Sequence, residues 1–223
     1  MPSSDFTSIP GVLNAVVELQ PKSICDIGVG CGKYGLLFRE ALEVQGRDDA
    51  VVNKPLLSSG FRLDGVEVCE AYIGPIQRTI YDRIFIGDIN LLCDSLEQYD
   101  LFTMIDVIEH MDEEAGLELL RRLRRKARLG VLLVTPIGEY PQGPVFGNPF
   151  ETHLSTWGPA QWNTLGHTRY MAMPGRKWMA FVEGCEPGHL RWLHPPRLRR
   201  RLKLAFLRAF DAVQPGHRDV PLA

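Results

Sequence analysis

Asp26-Ile27-Gly28-Val29-Gly30-Cys31-Gly32-Lys33 lies between the short apolar run Ser23–Ile27 and a segment with helical spacing, Tyr34–Val44. Leu37, Ala41 and Val44 share one face of that segment. A strand, a glycine turn and a helix in this order let the backbone come close to a bound nucleotide, because glycine has no Cβ and adopts positive φ readily. Spacing sorts the ligands. A phosphate loop needs G-x-x-x-x-G-K-[S/T], but position 27 is Ile and position 34 is Tyr. A dinucleotide turn, G-x-G-x-x-G, would put its third glycine at position 33, which is Lys. The glycines stand instead at 28, 30 and 32, directly behind an acid.

Further strand-like runs follow at Leu63–Val68, Ile84–Ile86, Leu101–Ile105 and Val131–Val134. Residues 45–60 form a connecting insertion with turn residues at each end. Glu113–Arg128 has the period of a helix, with Leu117, Leu120 and Leu123 inward and Arg121, Arg122, Arg124, Arg125 and Lys126 mostly toward water. Strands alternating with helices predict a doubly wound, mostly parallel α/β sheet covered on both faces. After Pro136 the period is lost over a long stretch rich in Pro, Gly and aromatics. Gly158–Leu165 reads as a short helix. Thr168–Met173 and Trp178–Val182 flank Pro174-Gly175-Arg176-Lys177 as an antiparallel edge hairpin. Phe6–Gly11 and Val12–Leu19 read as a leading helix against the sheet or over the ligand.

The pattern D-x-G-x-G-x-G after the first strand resembles the cofactor loop of class I S-adenosylmethionine-dependent methyltransferases. The Glu109-His110 pair after the fourth strand is similar to their broad small-molecule type, typified by ubiquinone-pathway enzymes. The resemblance covers about residues 20–136, and the insertion at 45–60 lengthens the usual spacing to the second strand. It implies a Rossmann-like fold and S-adenosyl-L-methionine as cofactor. That cofactor carries a sulfonium and an ammonium but no phosphate, which suits nearby carboxylates. By this resemblance Gly28, Gly30 and Gly32 admit the methionine end, and Asp26 and Asp106 organise its charged groups. Glu67 with Val68 holds the ribose, and Asp88 with Ile89 the adenine. Plainer roles stand beside these: Asp26 bracing the loop through backbone N–H groups, and Asp106 and Glu109 capping the next helix.

Methyl transfer is an in-line displacement, so the enzyme aligns the acceptor and removes a proton where needed. Residues 137–157 follow the fifth strand and are expected to cover the reacting methyl. His153 and His110 are the candidate bases, since histidine titrates near neutrality. Glu151, Tyr140, Phe146, Phe150 and Trp157 are available to shape a pocket. Asn148-Pro149-Phe150 is similar to the motif of methyltransferases acting on nucleobases, but follows the wrong strand. No His, Cys and acid array has metal-ligand spacing along the chain, so no metal is expected. A Ser-His-Asp reading lacks a G-x-S-x-G elbow. Glu151–Trp157 is similar to a segment of bacterial methyltransferases of surface-polysaccharide and secondary-metabolite pathways, which implies a hydroxyl of a small molecule or glycan as acceptor. An RNA or protein acceptor, or a catalytically inactive cofactor-binding partner subunit, are the rival readings.

Composition agrees with a globular enzyme: 223 residues, 45% hydrophobic and 23% charged. No apolar run approaches the roughly 20 residues of a membrane span. The N-terminus shows no secretory pattern, so a cytoplasmic protein is expected. Five cysteines without a C-x-x-C pair argue for reduced, mostly packed thiols. Residues 1–190, read as the catalytic domain, hold 17 basic and 25 acidic residues, a net of −8. Residues 191–223 hold 8 and 2, a net of +6, and form a basic helical appendage. The acidic body disfavours nucleic acid as a default partner. In the appendage, Arg197–Val213 presents an apolar stripe of Leu198, Leu202, Ala205, Phe206, Ala209 and Val213 beside a basic flank. The stripe suits packing on the domain, a second subunit in a homodimer, or peripheral contact with an anionic membrane.

Overall fold

The computed structural model describes residues 4–44, 60–186 and 188. The basic appendage and most of the 45–60 insertion lie outside the described residues. Helix α1 (Ile9–Leu19) starts with Pro10 in its first turn, where a missing N–H costs nothing, and stops at Gln20 in the left-handed region (φ 47°). Strand β1 (Ser23–Ile27) is buried at all five positions, as a continuous apolar run predicts for a central parallel strand. The other strands are β2 (Arg62–Glu67), β3 (Arg83–Ile86), β4 (Tyr99–Ile105), β5 (Ala127–Pro136), β6 (Thr168–Met173) and β7 (Lys177–Glu183). They form one sheet in the order β3-β2-β1-β4-β5-β7-β6. The first five run parallel, while β7 is antiparallel to both β5 and β6.

The order reverses at β1, which pairs with β2 on one side (Ile27 with Val66) and β4 on the other (Ile27 with Met104). Carboxyl ends of neighbouring strands therefore open a crevice at a topological switch point, where open α/β sheets take ligands. Among the described residues no helix is long and apolar enough to cross a membrane.

Some helical details differ from expectation. Helix α2 is regular only over Lys33–Arg39 and continues as a wider turn through Glu40–Val44. Its buried face is Tyr34, Phe38 and Ala41, with Leu37 half-buried. Arg39 is also buried, because it donates to the Ile80 carbonyl (2.9 Å) and pairs with Glu43 (2.7 Å) and Asp82 (2.9 Å). After α3 (Pro75–Ile80) and the short α4 (Ile89–Leu92), helix α5 runs over Glu113–Lys126 and passes straight into β5. It buries Gly116, Leu119, Leu120 and Leu123, leaving Leu117 half-buried. Its basic face is partly bound to the domain. Arg122 donates to the Asn90 carbonyl (2.8 Å), Arg124 to that of Glu183 (2.9 Å) and Lys126 to that of Asp94 (2.8 Å). Long cationic side chains reach neighbouring carbonyls while their stems cover apolar surface. All five cysteines are free: Cys25 and Cys93 are buried, Cys31 and Cys69 half-buried, and Cys185 exposed.

Candidate functional site

The glycine turn leaves β1 with Gly28, Gly30 and Gly32 all at positive φ (85°, 50° and 79°). A Cβ on Gly28 would stand 2.5 Å from Cγ2 of Val107, so this glycine also allows close packing on the chain leaving β4. Gly28 and Gly30 border the crevice. Gly32 instead forms the left-handed N-cap of α2, beside Ile80 and Gln77. Asp26 is buried, with one carboxylate oxygen accepting from the Tyr81 hydroxyl (2.6 Å) and the other from Thr103 (2.7 Å). It braces the floor through these hydroxyls, not through the backbone N–H groups that its position suggested. Burial pushes its pKa up to about 6, against the pull of the two hydroxyls.

Glu67 ends β2 and is almost wholly buried. Its two carboxylate oxygens accept from the backbone N–H of Gly30 and of Cys69, both at 2.9 Å. Burial raises its pKa, opposed by those N–H groups. Asp88 caps α4, accepting from the Asn90 N–H (2.8 Å). Val68, Asp88 and Ile89 line the same crevice.

Past β4 the chain turns at Asp106, a non-glycine residue with φ 55°. Its carboxylate pairs with Lys177 Nζ at 2.7 Å. Lys177 opens β7, and the pairing of Pro136 with Lys177 and of Ile105 with Val134 brings the two together. Neither Asp106 nor Glu109 caps α5, whose N-cap is Asp112. Glu109 is 2% exposed, and burial with the nearby Asp106 charge pushes its pKa up to about 8. One of its oxygens accepts from Thr135 Oγ1 at 3.2 Å.

Residues 137–157 fold back over this end of the crevice. The Glu109 carbonyl accepts from the N–H groups of Leu154 (2.8 Å) and Ser155 (3.1 Å). Their rings 4.8 Å apart and edge to face, His110 and His153 meet here. His110 Nδ1 donates to the Thr152 carbonyl (3.2 Å) and His153 Nδ1 to that of Tyr140 (2.6 Å). A carbonyl only accepts, so the proton of each neutral ring sits on Nδ1 and the Nε2 lone pair is left. Burial lowers the pKa of both rings, favouring that neutral form. Across the crevice Tyr72 donates to Glu151 (3.0 Å) and accepts from Asn148 (2.9 Å), tying the loop to the segment after β2.

The whole forms one cavity of about 1390 Å³. It brings together every sequence-predicted site residue except Gly32. Tyr140 and Phe150 line it, but Phe146 is 80% exposed outside it. Trp157 lies in the core instead, stacked on Trp162 (centroids 5.2 Å apart) with its ring against Gly116. Three site features were missed: the Tyr81–Asp26 contact, the Lys177–Asp106 pair and the Tyr72–Glu151 tie. The residues of these pairs are 55, 71 and 79 positions apart, and no local pattern announces them. Although no metal-ligand array was expected from spacing along the chain, the fold gathers Glu109, His110 and His153 with one potential ligand atom each, all within 4.8 Å of one another.

The sequence matches no protein-family model and no curated protein. Among solved structures, the chain resembles the methyltransferase domain of bacterial CtHen1 with 20% identity, covering 79% of this chain and 97% of that one at TM-score 0.52. It also resembles the N-terminal domain of EvdMO1, solved in the presence of SAH and D-fucose (15% identity, 83% and 86% covered, TM-score 0.55). A third is magnesium protoporphyrin IX methyltransferase (ChlM) from Synechocystis PCC 6803 with bound SAH (15%, 82% and 90%, TM-score 0.51). With the strand order and the antiparallel β7, these likenesses establish that the chain has the Rossmann-like fold of class I S-adenosylmethionine-dependent methyltransferases.

Proposed function

We propose that this protein is an enzyme that transfers the methyl group of S-adenosyl-L-methionine to a hydroxyl of a small molecule or glycan. One observation carries the reading: a single cavity joins the glycine turn, Glu67 and Asp88 at one end to the His110–His153 pair at the other. Its volume exceeds the roughly 300–1,000 Å³ typical of one small-molecule site, which suits cofactor and acceptor together. The residues fit the cofactor. Each Glu67 oxygen accepts one backbone N–H and, as a carboxylate oxygen, has a second lone pair for a ribose hydroxyl. Asp88 lines the same crevice and would meet the adenine, and the positive-φ glycines would leave the turn open to the methionine end.

When bound, S-adenosylmethionine supplies an electrophilic methyl on a sulfonium. The chain's own work is to orient and to handle a proton. The pinned segment 152–155 holds His153 over the cavity, beside His110. The Nε2 of His110 or His153 accepts the proton of the attacking hydroxyl, with Nδ1–H anchored on a carbonyl. Tyr140 and Phe150 offer apolar walls to the acceptor.

The test is calorimetric titration with S-adenosylhomocysteine, followed by mass spectrometry of hydroxyl-bearing acceptors incubated with S-adenosylmethionine. One-to-one binding abolished by Gly30→Val, and methyl gain on an oxygen, are expected. A folded protein that does not bind S-adenosylhomocysteine would overturn the reading. Methylation of RNA or protein alone, or binding without transfer to any acceptor, would replace its acceptor half.

A further inference from the structure

We infer that Glu109, His110 and His153 form a binding site for one divalent transition-metal cation at the acceptor end of the cavity. Three independent features of the structure support this. The ligand atoms lie within 4.8 Å of one another, although the two histidines are 43 positions apart. Around a tetrahedral cation, donor atoms at about 2.1 Å stand about 3.4 Å from one another, so the three atoms need to close by up to about 1.4 Å, a movement that side-chain rotation supplies.

Both imidazoles are also oriented for it. Each donates Nδ1–H to a backbone carbonyl, Thr152 for His110 and Tyr140 for His153, leaving Nε2 as the coordinating atom. Metal-binding histidines are characteristically held this way, the distal N–H bond fixing ring and tautomer. The third feature is Glu109 itself. Thr135 satisfies Oε2, but Oε1 is buried with no hydrogen-bond partner. A buried, unpartnered carboxylate oxygen is costly, and coordination to a cation would satisfy it.

The donor set selects the ion. Two imidazoles and one carboxylate suit the first-row series from Mn²⁺ to Zn²⁺ over Mg²⁺ or Ca²⁺, which favour all-oxygen shells. Lys177 is a nearby cation, and its Nζ is paired with Asp106 at 2.7 Å, leaving the Glu109 carboxylate to the metal. With three protein ligands, coordination positions remain for an acceptor hydroxyl. Coordination would lower that hydroxyl's pKa, its proton passing to water at the cavity mouth. The histidines would then act as ligands and not as bases. This use in catalysis rests on the function proposed above; cation binding does not.

Chelator-treated full-length protein would be titrated with Co²⁺ and followed by visible absorbance, then again with Mg²⁺ present as a competitor. One equivalent of Co²⁺ with ligand-field bands is expected, and at least about tenfold weaker Mg²⁺ binding. His153→Ala, His110→Gln and Glu109→Gln should each weaken Co²⁺ binding at least about tenfold, whereas His167→Ala, outside the cavity, should not. S-adenosylhomocysteine titration of the same samples reports folding and the cofactor half separately. Wild-type protein that binds S-adenosylhomocysteine but no Co²⁺ overturns the cation site and leaves the methyltransferase reading standing. Co²⁺ binding that survives all three substitutions also overturns it. Co²⁺ binding lost in the variants, without S-adenosylhomocysteine binding by any sample, supports the site and overturns the function.

Discussion

Replacing Glu67 by Gln exchanges a buried carboxylate for a neutral amide of the same shape. In the native protein its oxygens accept from Gly30 and Cys69, both at 2.9 Å. An amide can satisfy one of these N–H groups and turns its own NH₂ toward the other. Two effects on stability then oppose each other. A charge-assisted hydrogen bond of about 1.5–3 kcal/mol is lost, while the burial that raises this group's pKa no longer penalises a charge. The expected net change is within about 1 kcal/mol, or a melting shift under about 4 °C for a domain of this size. Cofactor binding has no such offset. Under the proposed function Glu67 accepts from the ribose hydroxyls, and weakening those bonds costs about 2–4 kcal/mol. S-adenosylhomocysteine affinity should therefore fall about 30- to 700-fold by calorimetry at pH 7.5. A folded Glu67→Gln protein that binds within threefold of wild type would refute the reasoning, leaving Glu67 as a brace for the glycine turn.

Gly28→Ala forces a side chain to φ 85° and sets its Cβ 2.5 Å from Val107. Strain and overpacking together should cost about 2–5 kcal/mol in urea unfolding, and adding Val107→Ala should recover only the overpacking share. The folded protein holds the Asp26 proton up to about pH 6, whereas the unfolded chain releases it near 3.8. Stability therefore falls as pH rises through that window and stays lowered above it. Asp26→Asn should match wild type at pH 3.5 and exceed it by about 3 kcal/mol at pH 7.5; a difference independent of pH would contradict this cause. Trp157→Ala should cost about 3–5 kcal/mol of stability because the ring is core. Phe150→Ala should instead raise the acceptor KM with little change in unfolding midpoint, and the reverse pattern would show that the two roles are misassigned.

The strands were legible because most are short and rich in apolar residues between turn signals. Ser23–Ile27 is buried at every position, and the hairpin flanking Pro174–Lys177 falls where its turn residues place it. The edge that borders the crevice was legible for a related reason, since Glu67 ends a strand and Gly28, Gly30, Asp88 and Asp106 each follow one within a few residues. Their partners were not. The position of Asp26 suggests either a role with the cofactor's charged groups or a brace to backbone N–H groups, yet the hydroxyls that hold it come from Tyr81 and from β4. Trp157 was placed in the pocket with Tyr140 and Phe150, but Gly116 leaves room on α5 for its ring and draws it into the core.

Sequence periodicity thus established a parallel α/β sheet, its glycine turn and the acids at its carboxyl edge, because those features depend on a residue and its near neighbours. The pairing of Lys177 with Asp106 follows from β7 lying beside β5 and β5 beside β4. The meeting of Glu109 and His110 with His153 follows from backbone bonds between Glu109 and the loop at Leu154 and Ser155. Such contacts between distant segments come from the packing of whole elements, which no window of sequence encodes, and in this protein they assemble the His110–His153 end of the cavity.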